Sequence, residues 1–136
     1  MDILQQSISG FPAFIIHLAA ALALLAVFLF IYIRITPYRE MALIRAGNVA
    51  AAISLSGAMI GFTIPLAKAV AQSGSLLDML MWGGIALLVQ LLAYAIVRML
   101  IPGIAKDIPD GKVAQGTFLG MLSLATGILN AACMTY

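Results

Sequence analysis

The sequence has few charged residues, one cysteine and one histidine. Only 9% of its 136 residues are charged, whereas a soluble domain carries about a quarter. The single Cys133 excludes an internal disulfide, and no Cys and His residues lie at metal-ligand spacing, so the sequence predicts no zinc site and no cofactor. The basic residues form no run, which gives no reason to expect nucleic acid as a partner.

Apolar residues, in contrast, make up 64% of the chain. A helix of about 20 apolar residues spans the hydrocarbon core of a bilayer, which is roughly 30 Å thick. Such windows occur at residues 11–33, 49–71, 79–97 and 113–134. The first window follows Asp2 instead of basic residues and precedes no cleavage site, so we expect it to remain in the membrane. We therefore predict an all-α integral membrane protein with four transmembrane helices in a single membrane domain, residues 1–136.

Positive charge is concentrated in the first and third connections between these helices. Those connections hold Arg34, Arg39, Arg45, Arg98, Lys106 and Lys112. Lys68 alone lies on the other side. Because Lys and Arg are retained in the cytoplasm, we expect both connections to be cytoplasmic and both termini to be outside. Tyr32, Tyr38 and Tyr94 are then expected near the inner interface, where amphipathic rings are favoured.

The two halves of the chain resemble each other. Arg34 and Arg98 close the first and third helices, and GNVAAA at 47–52 matches GKVAQG at 111–116 at the same separation. Two helices per copy leave both copies in one orientation, so we predict a parallel tandem repeat of two helix hairpins. The repeats comprise about residues 11–71 and 76–136.

Small residues recur every three or four positions on the second and fourth helices. These positions are Ala50, Ser54, Gly57 and Gly61, and then Gly116, Gly120, Ser123 and Gly127. Small side chains at this spacing let helix backbones approach closely. We interpret them as helix-packing faces and expect a homo-oligomer assembled through them, although the contacting helix can belong to the same chain or to a neighbour.

Several polar side chains lie within the apolar windows. The set is His17, Ser54, Thr63, Gln90, Ser123 and Asn130. Polar groups in hydrocarbon face partners or water, so each one either fixes helix packing or lines a polar pathway.

Two other residues of the second helix have simpler interpretations. Lys68 is expected to extend to the outer surface near Asp78. Pro65 removes a helix hydrogen bond, which predicts a kink and a free carbonyl at Gly61.

The first connection, ITPYREMALIRAGN, predicts a short amphipathic helix after Pro37. The prediction places Met41, Leu43 and Ile44 at the membrane interface and Arg39, Glu40 and Arg45 in water. Glu40 is expected only to reduce the positive charge of this loop. Either connection can lie along the lipid headgroups or contact a partner.

Longer stretches of the sequence resemble the YjfL family of bacterial inner-membrane proteins, a domain of unknown function (350). The resemblance rests on FIYIRITPYREMALIRAGNVAAAISLSGAMIGFTIPL, WGGIALLVQLL and GILNAACM and covers almost the whole chain. It implies a paired two-helix module in the bacterial inner (plasma) membrane, often encoded beside envelope-stress and polyamine-related genes. It supplies no catalytic residues.

Two functions fit these observations. We favour an oligomeric conduit for ions or small polar solutes, lined by the polar set. The alternative is a non-conducting membrane scaffold, in contact with lipid, that recruits partners of an envelope-stress system through its cytoplasmic loops. We do not expect an enzyme, since a lone histidine and an intramembrane serine are weak evidence for catalysis.

Overall fold

The computed structural model describes residues 2–134, and these residues form helices and short connections without a strand. The helices are α1 (Ile3–Ser9), α2 (Phe11–Ile35), α3 (Glu40–Arg45), α4 (Val49–Gln72), α5 (Leu76–Leu100), α6 (Ile104–Asp107) and α7 (Val113–Cys133). Four candidate membrane spans are present, formed by α1 with α2, by α4, by α5 and by α7, which confirms the four predicted spans. The last two residues of the second predicted repeat lie outside the described residues.

Polar caps set where the long helices begin. The Asn48 side chain accepts a hydrogen bond from the Ala51 backbone N–H (2.9 Å) at the start of α4. The Ser75 hydroxyl accepts one from the Asp78 backbone N–H (3.2 Å) at the start of α5. Both side chains satisfy N–H groups that have no partner within the first turn of a helix.

The short helices α3 and α6 end in the same backbone motif. Gly47 and Gly111 have φ angles of 87° and 78°, the only positive values in the described chain. In each case the N–H of the next residue, Asn48 or Lys112, bonds the carbonyl five residues earlier (2.9 and 3.0 Å). This is the Schellman closure of a helix, which favours glycine because a Cβ atom opposes a positive φ.

The long helices run between two distinct ends of the bundle. The charged end holds residues 36–48 and 101–112, including α3 and α6. The turn end holds residues 73–75, between α4 and α5. Since α4 and α7 both begin at the charged end, they run parallel, and α2 and α5 run in the opposite direction.

The tightest packing is between α4 and α7, a contact we call the α4–α7 seam. A Cβ atom added at Gly57 would overlap the backbone of Gly120, and one added at Gly127 would overlap the backbone of Gly61. Such backbone contact is what small residues permit inside a membrane. The α4 helix continues through Pro65, and the Gly61 carbonyl abuts α7 instead of a cavity.

The α2 helix touches the rest of the bundle mainly near the charged end. Its buried residues are Phe28 and Tyr32. The Phe28 ring stacks on Phe62 of α4 with 4.6 Å between centroids, and Tyr32 meets the edge of Tyr94 of α5 at 5.5 Å. Toward its amino end α2 exposes large apolar side chains, as expected for a helix that faces lipid.

Candidate functional site at the charged end

The structure brings together two of the six predicted pathway residues. Gln90 of α5 and Ser123 of α7 are both buried, and the Gln90 amide nitrogen donates to the Ser123 carbonyl oxygen (3.0 Å). The Gln90 side-chain oxygen and the Ser123 hydroxyl form no hydrogen bond within the described residues. This pair lies beside the α4–α7 seam, since a Cβ at Gly61 would lie 2.9 Å from the Gln90 nitrogen.

Three other pathway residues bond to their own helix. Ser54 is buried and donates to the Ala51 carbonyl (3.0 Å), while Thr63 is exposed and donates to the Met59 carbonyl (2.8 Å). The Nδ1 atom of half-buried His17 lies 2.7 Å from the Ala13 carbonyl oxygen. These bonds satisfy the side chains locally without linking helices.

Asn130 is the last of the six. Its side chain is half-buried near the turn end, and its amide nitrogen has no hydrogen-bond partner in the described chain. The structure therefore does not join His17, Thr63 and Asn130 into one polar surface within a single chain.

The eight residues of the predicted packing faces are all buried, and the two faces cover each other within one chain. An oligomer of this chain must therefore use another surface. The α4–α7 seam also ends in a polar contact, because the Lys68 ammonium donates to the carbonyls of Ala131 (2.7 Å) and Met134 (3.0 Å). A cation at these carbonyls complements the negative end of the α7 dipole.

The six cationic side chains predicted in the connections are all exposed at the charged end. The Arg34 guanidinium lies over the Phe30 ring at 4.6 Å from its centroid. The Lys112 ammonium lies 3.4 Å from Asp107, the only ion pair among the described residues. The other four cations present their charge to the surroundings.

Glu40 differs from its prediction, because it is fully buried instead of facing water. The amphipathic helix after Pro37 is present as α3, but Glu40 lies one turn before Leu43 and Ile44 and so shares their face. Those two apolar side chains pack against the core and carry Glu40 inward. The three- and four-residue spacing was readable in the sequence, whereas the assumption that a carboxylate must face water was wrong here.

Three buried tyrosines lie near this carboxylate, and we call the group the Glu40–tyrosine cluster. It comprises Glu40, Tyr38 before α3, Tyr32 of α2 and Tyr94 of α5. All four side chains are buried, so the tyrosines lie inside the bundle instead of at a lipid interface. Neither carboxylate oxygen and none of the three hydroxyls has a hydrogen-bond partner of good geometry within the described chain, although the side chains of Thr36, Ser54 and Arg98 lie close to Glu40, Tyr38 and Tyr94, respectively. Buried polar atoms usually have partners, so five such oxygens in one place mark this cluster as unusual.

Burial changes the acidity of the two cluster members outside the membrane-spanning helices. Desolvation raises the pKa of Glu40 to about 8, although the neighbouring Thr36 hydroxyl offsets part of the effect. The pKa of Tyr38 is also raised, first by burial and then by the negative charge of Glu40. Glu40 therefore binds a proton at neutral pH unless another cation compensates its charge.

An open groove of about 370 Å³ leads to the cluster from the charged end. Its lining includes Arg34, Thr36, Tyr38, Arg39 and Glu40. Glu40 forms part of this lining, but its carboxylate oxygens are buried beneath the groove.

Asn48 connects the two halves of the charged end. Besides capping α4, its amide nitrogen donates to the carbonyls of Ile108 (2.9 Å) and Pro109 (3.3 Å) in the other connection. The sequence analysis noted Asn48 only as part of the GNVA match, because a contact across 60 residues leaves no local signal. This bridge fixes the two connections relative to each other.

Comparison with known proteins places this chain in a family. The family described as Domain of Unknown Function (DUF350) matches residues 6–134. The chain belongs to the DUF350 family. Its resemblance to YjfL is thereby confirmed, and no solved structure matches the chain.

Two relatives illustrate the DUF350 family. The chain is 44% identical to the UPF0719 inner membrane protein YjfL of Escherichia coli (strain K12), over 91% of this chain and 94% of that protein. It is 27% identical to the UPF0719 transmembrane protein YshE of Bacillus subtilis (strain 168), over 85% and 88% of the respective chains. Together with the four apolar helices, these relatives identify the chain as a multi-pass inner-membrane protein of uncharacterised function.

Proposed function

We propose that this DUF350 protein is a non-conducting helical unit of the inner membrane that presents its charged end to a negatively charged partner, without catalytic activity. The observation that supports this function best is the α4–α7 seam. Gly57 and Gly127 contact backbone directly, which leaves no room for a water path between these helices. The predicted polar pathway is also interrupted, because Thr63 faces outward and bonds to its own helix.

The charged end has the properties of a docking surface. Four exposed cations lie on the two connections that Asn48 holds together, and Arg34 and Arg98 lie exposed at the adjoining ends of α2 and α5. A fixed array of like charges attracts an oppositely charged partner, and the attraction weakens as salt rises. The gene neighbourhood implied by the family resemblance suggests envelope-stress proteins as such partners.

Flux measurements test the non-conducting state. Purified protein in liposomes is expected to transport neither K⁺, Na⁺, Cl⁻ nor a small neutral solute above the level of protein-free vesicles. Correct insertion is checked by protease accessibility of the charged end. A saturable flux from inserted wild-type protein would contradict the proposal.

Charge reversal tests the docking surface. Arg39→Glu with Arg45→Glu is expected to release negatively charged partners that copurify at low salt, while the helix content and oligomeric state remain those of the wild type. Lys106→Glu in the other connection is the matched variant that shows whether one connection dominates. An unchanged partner set in both variants would count against docking through charge.

An oligomeric conduit is a second candidate, favoured by one specific observation. The Gln90 oxygen, the Ser123 hydroxyl and the Asn130 amide nitrogen are buried without partners along the inner side of α5 and α7. Such groups suit a path that opens only when chains assemble and helices separate. If wild-type flux is observed, Asn130→Leu and His17→Leu are expected to suppress it, and flux that survives both changes would exclude this lining.

We further infer the tandem repeat and the orientation. The two Schellman closures, at Gly47 and Gly111, lie at matched positions and support a parallel repeat of two hairpins. The concentration of Lys and Arg at the charged end supports a cytoplasmic location for it and outside termini. A cysteine at Gly74, in a Cys133→Ala background, is expected to react with a membrane-impermeant maleimide added to spheroplasts, whereas a cysteine at Pro109 reacts only after lysis.

A further inference from the structure

The Glu40–tyrosine cluster has the donor chemistry of a small-cation site. It offers two carboxylate oxygens and three phenolic oxygens, contributed by α2, α3, α5 and the segment before α3. Hard cations bind such oxygen ligands. The proposed docking function uses only the exposed charges and leaves this buried group unexplained.

These oxygens make no hydrogen bonds of good geometry with one another, which leaves them available to a shared ligand. The Tyr32 and Tyr94 rings lie 5.5 Å apart, and Tyr38 and Glu40 line the same groove. The negative charge of Glu40 acts on all three tyrosines. Yet the five oxygens have no hydrogen-bond partner of good geometry within the described chain.

The number of negative charges in the cluster favours a monovalent over a divalent cation. An ionised carboxylate in a buried site must be compensated. Glu40 is the only acidic residue in the cluster, and the described chain holds no group of three acidic, His or Cys residues suited to a metal. One negative charge balances one monovalent cation, whereas Ca²⁺ sites gather several carboxylates.

A proton alone satisfies this cluster poorly. A protonated carboxyl donates one hydrogen bond, which leaves several of the five oxygens without a partner. A metal cation accepts electron pairs from all of them.

The neighbouring cations set the expected affinity. Arg34 and Arg39 line the groove, and Arg98 of α5 acts electrostatically on Tyr38 and Tyr94, but none of them pairs with Glu40. Their positive charge opposes the approach of another cation, so we expect binding in the millimolar range.

We propose that Glu40, Tyr32, Tyr38 and Tyr94 form a binding site for one alkali metal cation beneath the groove at the charged end. The site binds Na⁺ or K⁺ in competition with a proton on Glu40. Bound cation ties α3 to the ends of α2 and α5, because its ligands come from all three helices.

Direct binding measurements test this site. Detergent-purified full-length protein at pH 9, in N-methyl-D-glucamine chloride, is titrated with ²²Na⁺ and with ⁸⁶Rb⁺ as a probe for K⁺. We expect saturable binding of one ion per chain for at least one of the two. Glu40→Gln is expected to weaken binding at least tenfold, and Tyr94→Phe about threefold.

Two controls separate binding from folding. Asp107→Asn removes a carboxylate from the other connection and is expected to leave binding unchanged. Helix content and elution volume of Glu40→Gln must match those of the wild type, and Glu40→Ile provides a second variant whose apolar side chain suits a buried position. Equal binding by Glu40→Gln and wild type would overturn the proposal.

Infrared spectroscopy distinguishes the proton from the cation. In folded wild-type protein at pH 7, where Glu40 still holds its proton, NaCl or KCl is expected to remove the band of a protonated carboxyl group, and Glu40→Gln lacks that change. If the band persists at saturating salt and no ion binds, the site holds a proton only and the proposal is wrong. These outcomes do not depend on docking or flux, so failure here leaves the proposed function standing.

Discussion

The two connections at the charged end have the same backbone closure but different buried contents. In the second connection the first residue of α6, Ile104, is fully buried, as expected for an apolar side chain. In the first connection the corresponding residue of α3, Glu40, is equally buried but ionisable. Since the closures at Gly47 and Gly111 are alike, the backbone does not require a carboxylate at this position. The second connection therefore buries an ordinary apolar side chain, whereas the first buries an ionisable carboxyl group at the same position.

The α4–α7 seam, which joins the halves, should be the most sensitive part of the molecule. Gly127→Leu places a side chain against the backbone of Gly61, where neither helix can yield without separating. We expect a loss of more than about 4 kcal/mol in the free energy of unfolding, at the upper end for single substitutions. Steric trapping or denaturant titration in detergent measures this change.

Gly84→Ala on α5 is the control for the seam, because a Cβ there meets nothing within 4 Å. It is expected to be neutral or stabilising by about 0.5 kcal/mol through helix propensity. If Gly127→Leu and Gly84→Ala lowered the free energy of unfolding equally, the glycines would act through the helix backbone and not through the seam.

The difference between Glu40 and Ile104 should appear as a dependence of stability on pH. The pKa of Glu40 rises from an ordinary value of 4.5 to about 8 in the folded chain. The folded state therefore holds the proton where the unfolded state has released it, so stability is highest below pH 4.5 and falls as the pH rises to 8. Without alkali cations, we expect a loss of about 3 kcal/mol between pH 5 and pH 8.

Thermal unfolding of Glu40→Ile checks this assignment. The variant makes the first connection resemble the second, and its stability should lack this pH-dependent loss. If wild type and variant lose stability in parallel, another group is responsible for the titration.

Asn48 and Lys112 provide a smaller contrast between the halves. The two residues are matched in position, but only Asn48 caps its helix and reaches the other connection. Asn48→Ala should cost about 2 kcal/mol in unfolding free energy, through the lost cap and the lost bridge. Lys112→Ala should cost less than about 1 kcal/mol, since its ion pair is exposed. Hydrogen exchange at residues 104–111 should increase in the first variant only.

Lys68 is expected to give the smallest effect. Replacing it with Met removes two hydrogen bonds to the α7 carboxyl end, at a cost of about 1 kcal/mol. Faster hydrogen exchange in the last turn of α7, with no change at the charged end, would locate the effect. Exchange that is unchanged throughout would show that the carbonyls find other partners.

The sequence predicted the features that follow from local composition. The length of each apolar window sets the span of a helix, and the small residues lie on one face because their spacing matches the helical repeat. It missed contacts that depend on tertiary structure. No local pattern links Asn48 to Ile108 or Lys68 to Ala131, and the predicted neighbour of Lys68 was Asp78.

The prediction that Glu40 faces water failed for a different reason. Its spacing from Leu43 and Ile44 placed it on the buried face, but the general rule that carboxylates face water was given more weight. The surrounding tyrosines come from three separate parts of the chain, so the sequence alone could not reveal that they converge on it. A local conflict between periodicity and polarity is therefore a useful indication of a site.

The length of the first membrane helix has a consequence for the bilayer itself. Residues 3–35 form a span of 33 residues, which at about 1.5 Å per residue extends roughly 50 Å. This exceeds the hydrocarbon thickness, so the helix must tilt, project into the headgroup region, or thicken the lipid around it. Its fully buried residues, Phe28 and Tyr32, lie in the half nearer Glu40, and Ala20 and Leu24 add partly buried contacts farther along. Hydrophobic mismatch therefore acts on the less tightly packed end of this helix, while its other end carries Tyr32 of the cluster. A change in bilayer thickness that alters the tilt of the helix would then shift Tyr32 relative to Glu40.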